Sequence, residues 1–320
     1  MTGDKLPVTL GHEFCGRVKE APSGSKFKTG QAVVCDPRLY CRSCNSCGIQ
    51  QTVDCEKWGF RGLSGGGGGF SQFVSVHESQ IYAIPDELLP YGALVEPLAV
   101  AWHAIKRAPT QEFSNKTALV LGGGPIGIDL VLVLKAFGAS CVIVSEPTEA
   151  RRKQNQDLAH HVLNPLEQKI GDECRKLTNG QGVDYVFDAA GVPVGMNAGV
   201  DALKFHAWYI NVAGWEEPVR SNVLCRPCTL ADHRCLLQMP SQMVGLFMKE
   251  FYMTCSRAYN DQDFAETVEY FVQGKFPGFE KMVTSRIGLQ DITDKGFKQL
   301  IENKDQHIKI LVTPQEALLA

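Results

Sequence analysis

Four cysteines crowd one stretch of the chain, Cys41, Cys44, Cys47 and Cys55, in the order C-x2-C-x2-C-x7-C. Thiolates at this density suit a tetrahedral Zn2+, and four protein ligands leave no position for substrate or water. Such a site would be structural, stapling a loop and contributing folding free energy. An iron–sulfur cluster is the rival reading, because close C-x2-C runs also serve those. A second motif, Gly122-Gly123-Gly124-Pro125-Ile126-Gly127, satisfies G-x-G-x-x-G. Glycines at this spacing let the backbone turn tightly and approach a pyrophosphate, which the following helix meets with its free N–H groups and partial positive charge. The pattern is weak alone and gains weight from a preceding strand and a following helix. Two further positions attract notice: Gly11-His12-Glu13 ahead of the cysteines, and Glu96 within Val95-Glu96-Pro97-Leu98-Ala99-Val100 ahead of the glycines. A His–Glu pair by itself is usually a surface pair, so its meaning depends on the order of the motifs.

The elements that must position these groups are of two textures. Residues 6–84 read as short strands broken by glycine: Arg17-Val18-Lys19, Gln31–Cys35 and Phe70–Val76, the last with partial alternation. Gly65–Gly69 cannot form a regular element and is expected to be a mobile loop. From Thr117 onward strand and helix alternate. Thr117–Leu121 is a buried strand, Pro125–Phe137 a helix, Cys141–Ser145 a strand and Thr148–Ala159 a charged helix. Asp184–Ala190 and Trp208–Val212 follow as strands, then Asp263–Val272 as a helix and Ile308–Val312 as a closing strand. Alternation at this spacing means βαβ units and a parallel sheet. Glu146 ends the second strand of that series, where an acid binds a ribose 2′-hydroxyl and repels a 2′-phosphate. That favours NAD over NADP; Arg151 and Arg152 nearby keep the alternative open, since an arginine accommodates the phosphate.

Bulk composition narrows the function classes. The 320 residues, 44% of them hydrophobic, are enough for substantial cores and favour two domains over one. Net charge is −3, from 32 basic and 35 acidic residues that are interspersed, leaving no electrostatic footprint for nucleic acid or an anionic membrane. The apolar run at 126–136 is interrupted by Asp129 and Lys135, so no membrane span is expected there. Met1–Lys5 lead into no apolar stretch, so export is not expected and the twelve cysteines read as reduced thiols of a cytoplasmic protein.

A Gly-His-Glu element, a four-cysteine loop, then an acid before a dinucleotide-binding turn: in this order the motifs resemble the zinc-dependent medium-chain dehydrogenases, in the sorbitol (polyol) and butanediol dehydrogenase branch. The likeness extends over Leu10–Gly16, Cys41–Cys55, Glu96–Ala104, Gly122–Gly127, Asp184–Gly191, Asn211–Gly214 and Met282–Pro314. It implies an α/β protein. A GroES-like β-rich catalytic domain (1–97, returning at 262–320) would accompany a Rossmann doubly wound parallel sheet (98–261). By that likeness His12 is a catalytic zinc ligand, Glu13 a ligand or its neighbour, and Glu96 the downstream acid that meets the metal directly or through water. The cysteine knot would hold a structural zinc. The catalytic zinc would act as a Lewis acid while hydride passes to the nicotinamide of NAD. Gly122, Gly124, Pro125, Ile126 and Gly127 would cradle the cofactor, with Glu146 and Arg151 at the adenosine ribose. Val212, Ala213, Gly214, Cys255, Ser256 and Arg257 would line the nicotinamide end. The implied substrate is a polyol or vicinal diol, with L-threonine as an alternative and a non-catalytic zinc-stapled, NAD-binding fragment as the other class. The implied assembly is a homodimer or homotetramer.

Two departures qualify the likeness. The family carries a cysteine ligand upstream of the Gly-His-Glu element, in a Cys-Gly-Ser-Asp-like stretch that also supplies a proton-relay hydroxyl; here no cysteine precedes Cys15. On that basis roughly fifty residues of the catalytic domain are missing, and the sequence reads either as a fragment or as a short form with an altered His-Glu-Glu metal site. The segment 221–245, with Cys225, Cys228, His233 and Cys235, has no clean period and reads as a variable loop or extraneous sequence, with no metal assigned.

Overall fold

Continuous apolar runs in the middle of the chain, such as Ala118-Leu119-Val120-Leu121 and Val142-Ile143-Val144, demand cover on both faces and so build a parallel sheet. The computed structural model describes residues 7–215 and 249–314; the irregular 221–245 stretch and its cysteines lie outside them. The chain divides into two compact units. One takes the residues up to His103 together with those from Arg257 onward; the other is Ala104–Ser256.

Among the described residues the second unit holds six parallel strands: β6 (Thr117–Leu121), β7 (Cys141–Ser145), β8 (His161–Leu163), β9 (Val183–Asp188), β10 (Leu203–Asn211) and β11 (Tyr252–Cys255). Their spatial order, β11-β10-β9-β6-β7-β8, reverses direction of growth between β6 and β9. Ligands of doubly wound sheets bind at such a switch point, beyond the carboxyl ends of the strands. Helices α3 (Pro125–Ala136), α4 (Glu149–Asn155), α5 (Ile170–Leu177) and α6 (Pro193–Ala202) make the crossovers. Leu119, Leu121, Ile143, Val186, Val200 and Tyr209 are among the residues of its core.

The first unit is built from small sheets. Strands β1 (Cys15–Arg17), β2 (Ala32–Cys35) and β5 (Ile81–Ala83) form an antiparallel sheet. The short pair β3 (Arg38–Leu39) and β4 (Gly59–Phe60) brackets the cysteine loop, which carries the turn α1 (Asn45–Gly48). Parallel strands β12 (Val283–Gly288) and β13 (Lys309–Thr313) come from the far end of the chain, with helices α7 (Asp261–Val272) and α8 (Lys298–Glu302). A capping box starts α7: Asn260 accepts from the Asp263 backbone while Asp263 accepts from Asn260. The helical stretch Asp86–Lys106, ending in α2 (Val95–Lys106), is apolar enough to cross a membrane by length and composition. Yet Leu94, Val95, Leu98 and Ala101 along it are fully buried, so core packing accounts for its character.

Two sequence expectations are corrected. Phe70–Val76 is not a strand: no ladder partner is found for it among the described residues, and Phe73 is 70% exposed. Alternation predicts which face a strand would bury, but a strand forms only where a neighbour accepts its hydrogen bonds. Nor is the glycine run a loose loop. Gly69 N–H donates to the Gly11 carbonyl at 2.7 Å and Phe70 N–H to Leu10 at 2.9 Å, docking the run against the backbone that carries His12. The fit requires glycine, because a Cβ on Gly68 would fall 2.2 Å from the Leu10 oxygen.

Candidate functional site

The cysteine loop leaves β3, turns through a left-handed Arg42 (φ 59°) and returns into β4. Its four thiol sulfurs lie within 4.8 Å of one another. Cys41 and Cys55 sulfurs are 3.6 Å apart, far beyond a disulfide bond and close to the edge of about 3.8 Å that a tetrahedron with 2.3 Å Zn–S bonds would have. Backbone N–H groups of Cys41 and Lys57 point at the Cys55 sulfur, at 3.2 and 3.3 Å. Hydrogen bonds from the Ser43 side chain and from the Ser43 and Cys44 backbone pull the Cys41 thiol down to about 6, while desolvation and neighbouring thiols push Cys47 up to about 12. The Cys44 thiol is lowered as well, by hydrogen bonds from the Cys47 and Glu56 backbone, so thiols that ionise readily lie beside one that resists. The donor set fits a structural zinc. Arg257 braces the loop, donating to the Val53 carbonyl at 2.6 Å and lying over the Trp58 ring at 4.7 Å. Its guanidinium is thus occupied in the first unit, whereas the other residues expected at the nicotinamide end belong to the second.

His12, Glu13 and Glu96 also converge, each offering a ligand atom within 4.8 Å of the others. The docked glycine run fixes the first two. Glu96 arrives on the first turn of α2, which the apolar face of that helix seats in the core, leaving the carboxylate 4% exposed. The His12 ring meets Phe60 edge-on at 5.5 Å. Burial lowers the His12 pKa, Glu13 opposing, so the imidazole is neutral near pH 7, as a metal ligand must be. Burial and the like charge of Glu13 push Glu96 well above the usual carboxylate range, against a hydrogen bond from the Tyr259 hydroxyl (3.0 Å) and the charge of Lys309. Lys309, on β13, donates to the Glu13 carboxylate. An imidazole and two carboxylates, His12 and Glu13 half-buried and Glu96 fully so, fit a divalent cation as a donor set. Lys309 and Tyr259 escaped the sequence reading as site residues. A cation inside Ile308-Lys309-Ile310-Leu311-Val312 is an anomaly that signals a buried acid; no such signal marks Tyr259.

In the second unit, Gly122 follows β6 and Gly124 caps α3 with no side chain filling the helix terminus, so its N–H groups stay available. Gly127 lies where a Cβ would come 1.9 Å from the Gly122 oxygen, the close helix–strand packing this turn needs. Ile126 is half-buried in the first turn of the helix, after Pro125. Glu146 accepts from Gly123 N–H at 2.7 Å and Thr148 N–H at 2.8 Å. Arg151 reaches over the turn, its guanidinium 3.6 Å from the Cβ position of Gly124. Arg152 instead donates to the backbone carbonyls of Glu146 and Pro147. At the neighbouring strand ends, Val212 and Ala213 N–H groups both donate to the Asp188 carbonyl at 2.9 Å. Gly214 follows them, and Ser256 N–H, after Cys255, donates to Asn211 at 2.8 Å. The buried Ser256 hydroxyl has no hydrogen-bond partner among the described residues.

Comparison with known proteins then decides the lineage. Residues 1–86 match the sequence profile of the alcohol dehydrogenase GroES-like domain, and residues 125–273 that of the zinc-binding dehydrogenases. The chain is 34% identical to (R,R)-butanediol dehydrogenase of Saccharomyces cerevisiae, over 97% of its own length and 81% of that protein's. The chain belongs to the zinc-binding medium-chain dehydrogenases. It is also 33% identical to (R,R)-butanediol dehydrogenase of Bacillus subtilis, over 98% of this chain and 83% of that one. The crystal structure of 2R,3R-butanediol dehydrogenase from B. subtilis superposes with a TM-score of 0.81 at 31% identity, covering 98% of this chain and 82% of the other. Within this family the small-sheet unit is the GroES-like part and the six-stranded sheet the Rossmann part, as the motif order implied.

Proposed function

We propose that this medium-chain dehydrogenase transfers hydride between a secondary alcohol of a vicinal diol or polyol and NAD, using zinc held by His12, Glu96 and, directly or as their neighbour, Glu13. The observation that carries the reading is the convergence of those three donors within 4.8 Å on the same chain as a glycine turn answered by Glu146. Zinc bound there would supply Lewis acidity toward a substrate hydroxyl, and NAD the hydride acceptor.

The chain's own residues prepare both halves of this task. His12, kept neutral by burial, offers a nitrogen lone pair. Lys309 and Tyr259 hold the two carboxylates in one orientation each, so little ordering remains to be done when substrate arrives. Glu146 is fixed by two backbone donors and keeps lone pairs for ribose hydroxyls, while its charge opposes a 2′-phosphate. Arg152, committed to two carbonyls, is not available to offset that charge, whereas Arg151 lies over the turn, so the preference for NAD over NADP rests on Glu146. The likeness to butanediol dehydrogenases favours a diol substrate.

The test is direct. The full chain, loaded with zinc, is given NAD+ or NADP+ with (R,R)-butanediol, sorbitol or L-threonine, and absorbance of the reduced cofactor is followed. Chelator-sensitive reduction of NAD+ by the diol or polyol is expected. No turnover with two zinc ions bound per chain would sink the proposal, and turnover of L-threonine alone would move the substrate to the amino-alcohol class.

A further inference from the structure

Glu96 is the most deeply buried of the three converging residues, and what turns its carboxylate is Tyr259. The phenol hydroxyl donates to Glu96 Oε1 at 3.0 Å from a side chain that is itself 0% exposed. The Tyr259 ring cannot swing away. Phe264 packs against it at 5.4 Å, and Phe60 meets it edge-on at 6.3 Å while also touching the His12 ring. The Arg38 guanidinium also lies over the ring, 4.7 Å from its centre. Arg38 Nη1 donates to the Tyr259 carbonyl at 2.6 Å and to Thr52 Oγ1 at 2.8 Å, and Nη2 to Asp261 at 2.7 Å. Thr52 belongs to the cysteine loop, between Cys47 and Cys55, and its own hydroxyl donates to Asp261 at 2.9 Å. The side chain that orients Glu96 is therefore clamped by a cation that also gathers the cysteine loop and the start of α7.

We infer that Tyr259 is a positioning residue for Glu96, fixing the carboxylate in the orientation in which it faces His12, and that Arg38 holds Tyr259 to that task. The inference rests on the metal reading of His12, Glu13 and Glu96 proposed above. A buried carboxylate has two free torsions near its end, and a single well-placed donor removes most of that freedom. Outer partners of this kind typically contribute ten- to a hundredfold to metal affinity. A tyrosine that merely fills space would contribute to stability alone.

The experiment uses the full chain freed of metal and titrated with zinc against a chromophoric chelator, beside Co2+ loading followed by absorption. Wild type, Tyr259→Phe, Glu96→Gln and the double variant are compared. Phenylalanine keeps the ring and the Arg38 contact to the backbone, so only the hydroxyl is lost. The expected result is a second zinc bound at least tenfold more weakly in Tyr259→Phe, an altered Co2+ spectrum for that equivalent, and an unchanged four-thiolate site. In the Glu96→Gln background the effect of Tyr259→Phe should fall to within twofold, because it acts through Glu96. A second-site affinity within twofold of wild type, or an equal loss in the Glu96→Gln background, would overturn the inference and leave the metal reading standing. Wild type binding a single zinc would overturn both. Should Tyr259→Phe not fold, 3-fluorotyrosine at the same position keeps ring and hydroxyl but makes the donor stronger. A changed Co2+ spectrum then supports the inference, and an unchanged one refutes it.

Discussion

Replacing Arg38 with methionine should unfold the GroES-like unit well before its normal melting temperature. The guanidinium is 0% exposed and bidentate on Asp36, with Nε to Oδ1 at 2.9 Å and Nη2 to Oδ2 at 2.5 Å. It also serves Thr52, Tyr259 and Asp261. Methionine fills similar volume but strands the Asp36 carboxylate, which is 2% exposed. Breaking one partner of a buried ion pair costs about 3–5 kcal/mol, and for a unit of this size each kcal/mol lowers Tm by about 2–4 °C, so a fall of about 10 °C is expected by calorimetry. The penalty should depend on pH in a definite direction. Burial already raises the Asp36 pKa above the usual value even though Arg38 opposes it, and without Arg38 it rises further. A carboxyl whose folded pKa is raised binds its proton more tightly when folded; the stability this gives is full below the unfolded pKa and is lost as pH climbs through the folded one. Arg38→Met should therefore be penalised more at about pH 8 than at about pH 5. The double variant Asp36→Asn, Arg38→Met, which leaves no buried charge there, should recover part of the loss. A Tm within 2 °C of wild type on the about 10 °C scale set by the lost ion pair, or a penalty that grows toward acid, would refute this account.

Two smaller perturbations test how the other groups are held. Gly68→Ala should cost about 1–3 kcal/mol and weaken the second zinc, because its Cβ would fall 2.2 Å from the Leu10 oxygen, whereas Gly16→Ala, whose Cβ meets nothing within 4 Å, should leave chelator titration and melting unchanged. Glu146→Ala removes the acceptor of Gly123 and Thr148 N–H; NADH affinity, read by fluorescence titration, should fall about tenfold or more, the scale of one charge-assisted hydrogen bond, with the NAD-to-NADP preference narrowed.

How far these features can be read without coordinates follows from the range of the forces involved. The parallel sheet is legible because its periodicity is local: Thr117–Leu121 and Cys141–Ser145 appear as strands at the same boundaries in the sequence reading and in the fold. The cysteine knot and the glycine turn are legible for the same reason, since a few consecutive residues carry the whole pattern. Phe70–Val76 shows the limit. Its alternation is as local as any other, but ladder bonds need a partner strand that no window of sequence contains. The glycine run fails differently: low complexity suggests slack, whereas Gly68 and Gly69 are glycine because another backbone passes too close for a Cβ. The site itself divides along this line. His12, Glu13 and Glu96 are motif residues and can be named in advance, but what orients them comes from 163 and 296 positions away, Tyr259 on Glu96 and Lys309 on Glu13. A side chain that acts on a ligand through tertiary contact leaves no spacing to recognise. Only a local contradiction betrays it, as the lone cation does in the apolar strand Lys309–Thr313. Charged residues that break an otherwise apolar strand are therefore the places where a sequence points beyond its own motifs, and Tyr259, which breaks no pattern, could be found only by following the Glu96 carboxylate to its donor.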